Sequence, residues 1–227
     1  MAAGNFTMFY AAKRKLLVGK KIDMSADALK LALCTNVQTI NAGFLGASGD
    51  CRYADLTAEV ANGNGYTTGG AALSTLTDNW YVASATVAAG GSGGTNGTQT
   101  VTGTTGAGTL FQASVTVSGN AITAVLSIVT AGAYTTLPTN ALAEPVTGAS
   151  LAGAQLNLNM GVVFTSAAVS WASATFVTKY AVLYDNTATN KDLVGYTDWE
   201  TTVSQGTSVT NGTLTWTPNA AGIFTLL

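Results

Sequence analysis

The sequence predicts a mainly β protein, an antiparallel β-sandwich with a short N-terminal helix that is interrupted by an inserted small β domain. Two observations predict this class. Short runs rich in β-branched and aromatic residues recur at intervals of about 8 to 15 residues with polar turns between them, which is typical of β-sandwiches. Charge is also unevenly distributed, because Asn79–Thr178 holds one charged residue, Glu144, while seven of the nine basic residues precede Tyr53.

The charge boundary divides the chain into a framework and an insert. We expect residues 1–82 and 163–227 to form one discontinuous β-sandwich, the anchor domain, and residues 83–162 to form an inserted Gly/Thr-rich β module. The chain has 9 basic and 11 acidic residues, and the framework holds 19 of these 20 charges. The hydrophobic content of 47% is enough for a genuine core, so we expect a folded protein and not a disordered one.

The N-terminal residues predict a short basic helix. Asn5 can cap it, the apolar positions from Phe6 onward follow the 3.6-residue period, and Gly19 would end it. Its outer face would carry the cations Lys13, Arg14, Lys15, Lys20 and Lys21. A solvated helix face accounts for these residues, and binding of a lipid or of an anionic partner is the alternative.

A strand and a glycine-rich segment follow the helix. Leu29, Leu31 and Leu33 alternate with other residues and therefore share one side of a strand. The segment Tyr53–Gly70 begins with a short helical or turn stretch and ends with four glycines in eight residues, which permit positive φ and close backbone approach. It lacks both G-x-x-x-x-G-K-[ST] and a G-x-G-x-x-G set between a strand and a helix, so nucleotide binding is disfavoured.

The insert shows a clean alternation of apolar and polar residues. One predicted strand has its apolar side at Phe111, Ala113, Val115 and Val117. The dipeptide Gly119–Asn120 then predicts a hairpin turn before a strand that starts at Ala121. A second regular strand is predicted from Ala154 to Val162. We expect residues 90–108, which are rich in Gly and Thr, to form flexible loops.

The last third returns to larger side chains and predicts five short strands separated by polar turns. These are Ala168–Trp171, Lys179–Tyr184, Leu193–Trp199, Thr213–Trp216 and Ile223–Leu226. We expect the N-terminal strand that contains Leu29 to join these strands across the insert.

Composition excludes several kinds of chemistry. The chain has no histidine, so it can form neither a Ser-His-Asp nor a Cys-His arrangement, and it has no imidazole to bind a metal. Its low content of Lys and Arg disfavours a nucleic-acid partner, because such proteins neutralise phosphates with clustered cations. We therefore expect a non-enzymatic protein that requires no cofactor.

Carboxylates offer the one remaining route to an enzyme or a metal site. Asp198 and Glu200 are two residues apart, hence on one face of a strand, at a spacing that a glycosidase pair could meet. Asp185, Asn186 and Asp192 are candidate calcium ligands, although no D-x-[DN]-x-[DN]-G loop is present. Solvated acids at turns and strand edges explain all of these residues better.

Aromatic residues and cysteines complete the candidates. Trp171, Trp199 and Trp216 lie in apolar alternation, where burial in a core explains them. Trp80 is the candidate for stacking on a sugar ring, and this makes a β carbohydrate-binding module the alternative to a structural protein. For Cys34 and Cys51, two free thiols are favoured over one bridge.

The order of residues at the N-terminus is the reverse of a secretory signal, because Phe6, Phe9 and Tyr10 precede the basic cluster. The longest apolar run, Ala121–Tyr134, is interrupted by Thr, Ser and Gly, so no membrane span is expected. We expect the chain to be made and assembled in the cytoplasm of the cell that produces it, without a membrane partner.

Several segments together resemble a family of virion structural proteins of tailed bacteriophages, over about residues 4–82 and 163–227. The segments are Asn5-Phe-Thr-Met-Phe-Tyr-Ala-Ala-Lys-Arg-Lys-Leu-Leu, Tyr53–Gly70, Lys179–Thr187, Leu193-Val-Gly-Tyr and Trp216–Leu226. In shorter relatives the two blocks run together, which agrees with the insert inferred from charge. Gly90-Gly-Ser-Gly-Gly and Ser127–Pro138 of the insert are similar to a Gly/Thr-rich module of several phage structural proteins.

The resemblance implies a place in the virion and no catalytic motif. The first expectation is a capsid decoration, or cement, protein on the exterior of the head that binds the major capsid protein or other virion proteins. A tail, collar or head-fibre component is the second. Homo-oligomers are expected, because symmetric copies let modest interfaces add up. The basic N-terminal face would then be the contact with the capsid, and host glycans remain an alternative partner for Trp80.

Overall fold

The computed structural model describes residues 5–18, 22–46, 49–199, 206–219 and 222–226. The chain is 54% strand and 5% helix, and the strand pairs with a defined register are antiparallel. The predicted class, a mainly β protein with antiparallel sheets and a short helix near the N-terminus, is therefore confirmed.

The first half of the chain contains β1 (Phe6–Met8), α1 (Tyr10–Leu17), β2 (Leu29–Cys34), a 3-10 turn (Tyr53–Asp55), β3 (Ala71–Ala72), β4 (Thr77–Ala89), β5 (Gly97–Gly103), β6 (Ala107–Thr109) and β7 (Gln112–Ser118). The second half contains β8 (Ala121–Thr130), β9 (Ala133–Thr136), β10 (Glu144–Thr147), β11 (Gln155–Thr165), β12 (Val169–Thr178), β13 (Tyr180–Asp185), β14 (Leu193–Asp198), β15 (Thr207–Trp216) and β16 (Phe224–Leu226). All five strands predicted in the last third are present.

The chain divides into two compact units. Unit 1 comprises Met1–Thr77 and Thr165–Phe224, and unit 2 comprises Asp78–Phe164 with Thr225–Leu227. The charge pattern of the sequence had set the limits at 82/83 and 162/163. That unit 2 entered the framework as an insert stays a prediction.

Unit 1 has a five-stranded sheet with the order β1-β14-β13-β2-β3. β2 pairs with β13 over its whole length, from Leu29↔Asp185 to Cys34↔Tyr180, so the N-terminal strand joins the C-terminal strands as predicted. Leu29, Leu31 and Leu33 are buried, and Ala32 on the opposite face is also buried. The sheet is thus covered on both sides at its centre.

A second sheet of unit 1 consists of β12 and β15, which pair from Val169↔Trp216 to Thr178↔Thr207. It contacts the five-stranded sheet through Trp216, which is buried, and the glycine-rich segment through Phe176, which is half-buried. The Trp216 Nε1 atom donates a hydrogen bond to Thr197 Oγ1 of β14 at 3.4 Å, and the Phe176 ring centroid lies 6.0 Å from that of Tyr66. Two packed layers of this kind define the sandwich-like arrangement of unit 1.

The N-terminus departs from the predicted helix. Phe6–Met8 is strand β1, which pairs with β14 at Phe6↔Thr197, and α1 begins only at Tyr10 with Phe9 as a cap that makes no side-chain hydrogen bond. The prediction that Asn5 caps the helix is wrong. The cause is tertiary: Gly195 of β14 leaves room for the Phe6 ring, since a Cβ at Gly195 would lie 2.4 Å from it. Residue 19, the predicted stop, lies outside the described residues.

Unit 2 is built on a sheet with the order β6-β9-β4-β11-β10-β5-β7-β8, with β16 paired to β11 outside this order. The hairpin β7–β8 turns at Gly119 and Asn120, whose φ angles of 60° and 62° suit a type I′ turn. The predicted alternation is confirmed, since the apolar residues of the β7 hairpin are buried: Phe111, Ala113, Val115 and Val117.

Residues 90–108 are not simply loops, as the sequence suggested, because they include β5 and β6. β5 pairs with β7 from Gly97↔Val117 to Thr102↔Gln112. A Cβ at Gly103 would lie 2.6 Å from the Phe111 ring, so glycine ends this strand where a large aromatic neighbour needs the space. Packing against β7 therefore overrides the low strand propensity of the glycines in this segment.

Candidate functional site

The carboxylates considered for catalysis or for calcium binding interact with other groups of the protein itself. The Lys179 ammonium lies 3.2 Å from Asp198. Asp185 Oδ1 accepts hydrogen bonds from the backbone N–H groups of Thr187 at 2.7 Å and Ala188 at 3.2 Å, and burial raises the pKa of Asp185 against the effect of these bonds. Glu200, the other half of the predicted pair, lies outside the described residues. Within the described ranges no group of three His, Cys, Asp or Glu residues could hold a metal ion.

Lys15 belongs to an internal ion cluster and not to an open basic face. Its Nζ atom lies 2.7 Å from Asp50 Oδ1 and 2.7 Å from Asp192 Oδ1, and its side chain is 12% exposed. Burial opposes the ammonium charge, yet the two carboxylates outweigh it and raise the pKa of Lys15. Burial alone would raise the pKa of Asp50, but the hydrogen bond that Lys15 donates to it helps to outweigh burial, and the pKa of Asp50 is lowered. The prediction that Lys15 lies on the outer face of the helix is corrected accordingly.

The remaining basic residues of α1 share its solvent side with large apolar residues. Five exposed residues form this side, which we call the outer stripe: Tyr10, Lys13, Arg14, Leu17 and Val18. Their spacing of i, i+3, i+4, i+7 and i+8 places them on one helical face. The Lys13 ammonium lies 5.6 Å from the centroid of the Tyr10 ring. Lys20 and Lys21, the other two predicted contact residues, lie outside the described residues.

A shallow cavity of about 500 Å³ is lined by residues of the loop 37–46 and of the segment 54–57. Val37 and Leu45 stand on its wall with 79% and 57% of their surfaces exposed. The Gln38 side chain is buried, and its Oε1 atom accepts hydrogen bonds from the backbone N–H groups of Thr57 at 2.7 Å and Ala58 at 3.0 Å. The groove is thus lined by polar as well as apolar side chains, and the hydrogen bonds of Gln38 join the loop 37–46 to the segment 54–57. The sequence missed it because isolated apolar residues in a polar loop carry no periodic signal.

The donors of the glycine-rich segment Tyr53–Gly70, which the sequence analysis considered for phosphate binding, bond to a carboxylate of the protein itself. Glu59 Oε1 accepts hydrogen bonds from the Tyr66 hydroxyl at 2.6 Å and the Gly69 N–H at 2.7 Å, and Tyr53 donates to Oε2. Burial and Glu59 raise the pKa values of both tyrosines. Gly70 has φ +68°, and a Cβ there would lie 2.0 Å from the Leu31 carbonyl oxygen. Close packing against β2 thus explains these glycines.

In unit 2 the lone charge of the segment 79–164 is internal. Glu144 is fully buried and accepts hydrogen bonds at Oε1 from the N–H groups of Thr104 and Thr105, each at 2.8 Å, while Thr105 Oγ1 donates to Oε2. It holds the turn between β5 and β6. This role could not be read from the sequence, because the donors lie some 40 residues away. The exposed surface of the segment 79–164 therefore has no Lys, Arg, Asp or Glu side chain.

The tryptophans and cysteines are placed largely as expected. Trp171, Trp199 and Trp216 are buried, which confirms their assignment to a core. Trp80, the candidate for sugar stacking, is half-buried, pairs in register with Tyr134, and packs against the core of unit 2. Cys34 and Cys51 are buried free thiols, and burial raises the pKa of each to about 12.

In the part of the chain that the structure describes, no helix has the length and apolar character that crossing a membrane requires. Comparison with family models, curated proteins and solved structures finds no match to this chain.

Proposed function

We propose that this protein is a non-enzymatic structural protein of a tailed-phage virion, a decoration protein on the exterior of the capsid. The observation that carries the proposal is the use of its charged groups. Nine carboxylates bond to donors of the scaffold: Asp23, Asp27, Asp50, Asp55, Glu59, Glu144, Asp185, Asp192 and Asp198. Carboxylates used in this way stabilise loops and are not free to act as catalytic acids or bases. This use favours a structural role.

The surface of unit 2 supports a position at the outside of a particle. Its β5 and β7 strands pair hydroxyl residues across their outer face at Thr98↔Thr116 and Thr100↔Ser114. Such a surface is well hydrated without charge, so it neither attracts nor repels charged molecules strongly. Many copies on one particle would then not accumulate electrostatic repulsion. The sequence resemblance to virion structural proteins points in the same direction.

The test is to add the purified full-length protein to particles assembled without it. Particles recovered by sedimentation are imaged by cryo-electron microscopy, and the maps with and without the protein are subtracted. We expect extra density repeated over the head lattice. Density confined to the tail, collar or head fibres would replace the decoration role with the second position that the resemblance allows. Absence of any bound protein would refute a virion role.

A further inference from the structure

The outer stripe exposes more apolar surface than a solvated helix needs. Tyr10, Leu17 and Val18 are 65%, 76% and 73% exposed. Together with Val37 and Leu45 of the groove, they are five of the ten large exposed hydrophobic residues among the described residues, and all five precede residue 46. Exposed apolar groups gathered in this way mark interaction surfaces, whereas single ones need no explanation.

The stripe and the groove are neighbours in unit 1. The Tyr10 N–H donates a hydrogen bond to the Ala42 carbonyl at 2.9 Å. A Cβ on Gly43 would lie 4.0 Å from the Tyr10 ring, so the ring lies beside the loop whose next two residues, Phe44 and Leu45, line the groove. The Tyr10 end of the outer stripe therefore lies beside the loop that lines the groove.

The opposite side of α1 is held firmly, so the stripe is presented in a fixed orientation. Ala12 is fully buried, the Phe9 N–H donates to the Val194 carbonyl at 3.1 Å, and Lys15 is anchored by Asp50 and Asp192. A surface already ordered before binding loses less conformational entropy when a partner docks.

We propose that the outer stripe, with Val37 and Leu45, is the surface that docks onto an acidic, partly apolar recess of another virion protein. This inference rests on the proposed function and names its contact face. Lys13 and Arg14 would meet carboxylates of the partner, while Tyr10, Leu17 and Val18 would fill apolar depressions. Aromatic and Arg residues in such positions commonly dominate binding energy, and the charges would set orientation and association rate.

The charge and the length of α1 favour this partner over a second copy of the chain and over an anionic membrane. In a symmetric dimer centred on the stripe, Lys13 and Arg14, which lie midway along it, would come close to their own copies, and their repulsion would cost energy. An anionic membrane gains only about 1 kcal/mol for each basic residue near its surface, and α1 has eight residues with its inner side committed to unit 1. A rigid, short face with two cations suits a preformed protein recess.

Three variants test the proposal against matched controls. Leu17→Ser/Val18→Ser removes apolar contacts, Lys13→Glu/Arg14→Glu reverses the charges, and Tyr10→Ala removes the aromatic group. Leu142→Ser, at a residue of unit 2 that is 75% exposed, and Lys191→Glu, at an exposed cation outside α1 whose ammonium lies 5.3 Å from the centroid of the Tyr53 ring, are the controls. Thermal unfolding of each variant must match that of the parent protein before binding is compared.

Binding of the full-length variants to particles that lack the protein is measured by co-sedimentation over a range of salt concentrations. We expect each of the three variants to bind about tenfold more weakly or worse, both controls to bind as the parent does, and added salt to weaken the parent but not Lys13→Glu/Arg14→Glu. Parental binding by both double variants would overturn the docking surface while leaving the virion role intact.

Failure of the parent protein to bind particles would instead refute the proposed function and the docking surface with it. The parent is also examined by sedimentation velocity and with phosphatidylglycerol vesicles. Self-association or vesicle binding that is lost in the stripe variants would assign the face to a second copy or to a membrane, and would overturn the proposal.

Discussion

The Lys15 ammonium lies 2.7 Å from the carboxylate of Asp192, a residue 177 positions away in the sequence. The bond joins α1 near the start of unit 1 to the residue before β14 near its end. Asp50 shares the same ammonium at 2.7 Å, so one cation connects three segments of the unit. The cluster explains why Lys15 does not face solvent with its neighbours Lys13 and Arg14.

Replacing Lys15 by Met is expected to destabilise unit 1. The change leaves Asp50 and Asp192 close together without their shared cation, and the loss should be about 1–2 kcal/mol because the cluster is only partly shielded from water. Denaturant unfolding monitored by tryptophan fluorescence measures it. Lys13→Met, at an exposed position of the same helix, is the control and should change the free energy of unfolding by less than about 0.5 kcal/mol. Equal effects of the two changes would contradict the role of the cluster.

The contribution of the cluster should depend on pH at both ends of the scale. The folded pKa of Asp50 is below its usual 3.8, so this stability is present above that value and is lost as the pH falls through the folded pKa. The folded pKa of Lys15 is above its usual 10.5, so its share is present below that value and is lost as the pH rises through the folded pKa. The difference in unfolding free energy between the parent and Lys15→Met should therefore be flat between about pH 5 and pH 9 and shrink outside that window. A maximum confined to one end would be inconsistent with the assignment.

Glu144→Gln should loosen the turn between β5 and β6. The amide keeps the size of the side chain but has one acceptor oxygen where the carboxylate has two, so a buried donor among Thr104 N–H, Thr105 N–H and Thr105 Oγ1–H loses its partner. We expect a loss of about 1–3 kcal/mol in unit 2. Hydrogen exchange of the Thr104 and Thr105 amides should accelerate, while Asp78→Asn, at an exposed carboxylate of the same unit, leaves it unchanged. Unaltered exchange in Glu144→Gln would count against a bracing role.

Comparison of Gly70→Ala with Gly63→Ala separates the cost of a steric clash from the cost of a strained backbone conformation. Both glycines have positive φ, but a Cβ at Gly70 would clash with the Leu31 carbonyl whereas one at Gly63 meets open space. Gly63→Ala should cost about 1 kcal/mol from conformational strain alone, and Gly70→Ala clearly more, because β2 or the loop must shift. Thermal denaturation of the two variants compares them directly. Similar melting temperatures would show that the packing against β2 is unimportant.

Trp80→Ala should act on the stability of unit 2 and not on recognition of sugars. Trp80 packs against the core, so its truncation removes buried contacts and should cost about 2 kcal/mol, less than a fully buried tryptophan. A glycan array with the parent protein should show no binding. Glycan binding that disappears in Trp80→Ala, with stability unchanged, would support the carbohydrate-binding alternative.

Alternation and turn chemistry were informative wherever a strand has one apolar and one polar side. The β7–β8 hairpin could be predicted because Gly119 and Asn120 adopt the positive φ that its tight turn needs. Residues 97–103 could not, because β5 owes its conformation to pairing with β7 and to the Phe111 ring above Gly103. The many glycines of the segment 90–108 obscure the strand preference of its threonines, so the pairing with β7 decides its structure.

In the candidate site, too, some properties follow from the sequence and others only from the tertiary structure. The basic character of α1 and the lack of histidine are properties of composition, and they limit the chemistry of the protein without any structure. Which cations face outward was decided by tertiary contacts, since helical periodicity does not reveal that Lys15 meets Asp50 and Asp192. The apolar part of the proposed docking surface also emerged only from the fold, because the Tyr10 N–H donates to the Ala42 carbonyl and a loop from another part of the chain therefore lies beside the helix.

The sequence by itself determined the β class, the positions of most strands along the chain and the sharp contrast in charge between the framework and the segment 79–164. These depend on neighbouring residues, whose periodicity and composition act locally. The tertiary structure decided that Phe6–Met8 is a strand, that Glu144 is buried and that Lys15 is paired. Each of these depends on groups tens to hundreds of residues apart, and the free energy that favours them exists only once the chain has brought those groups together.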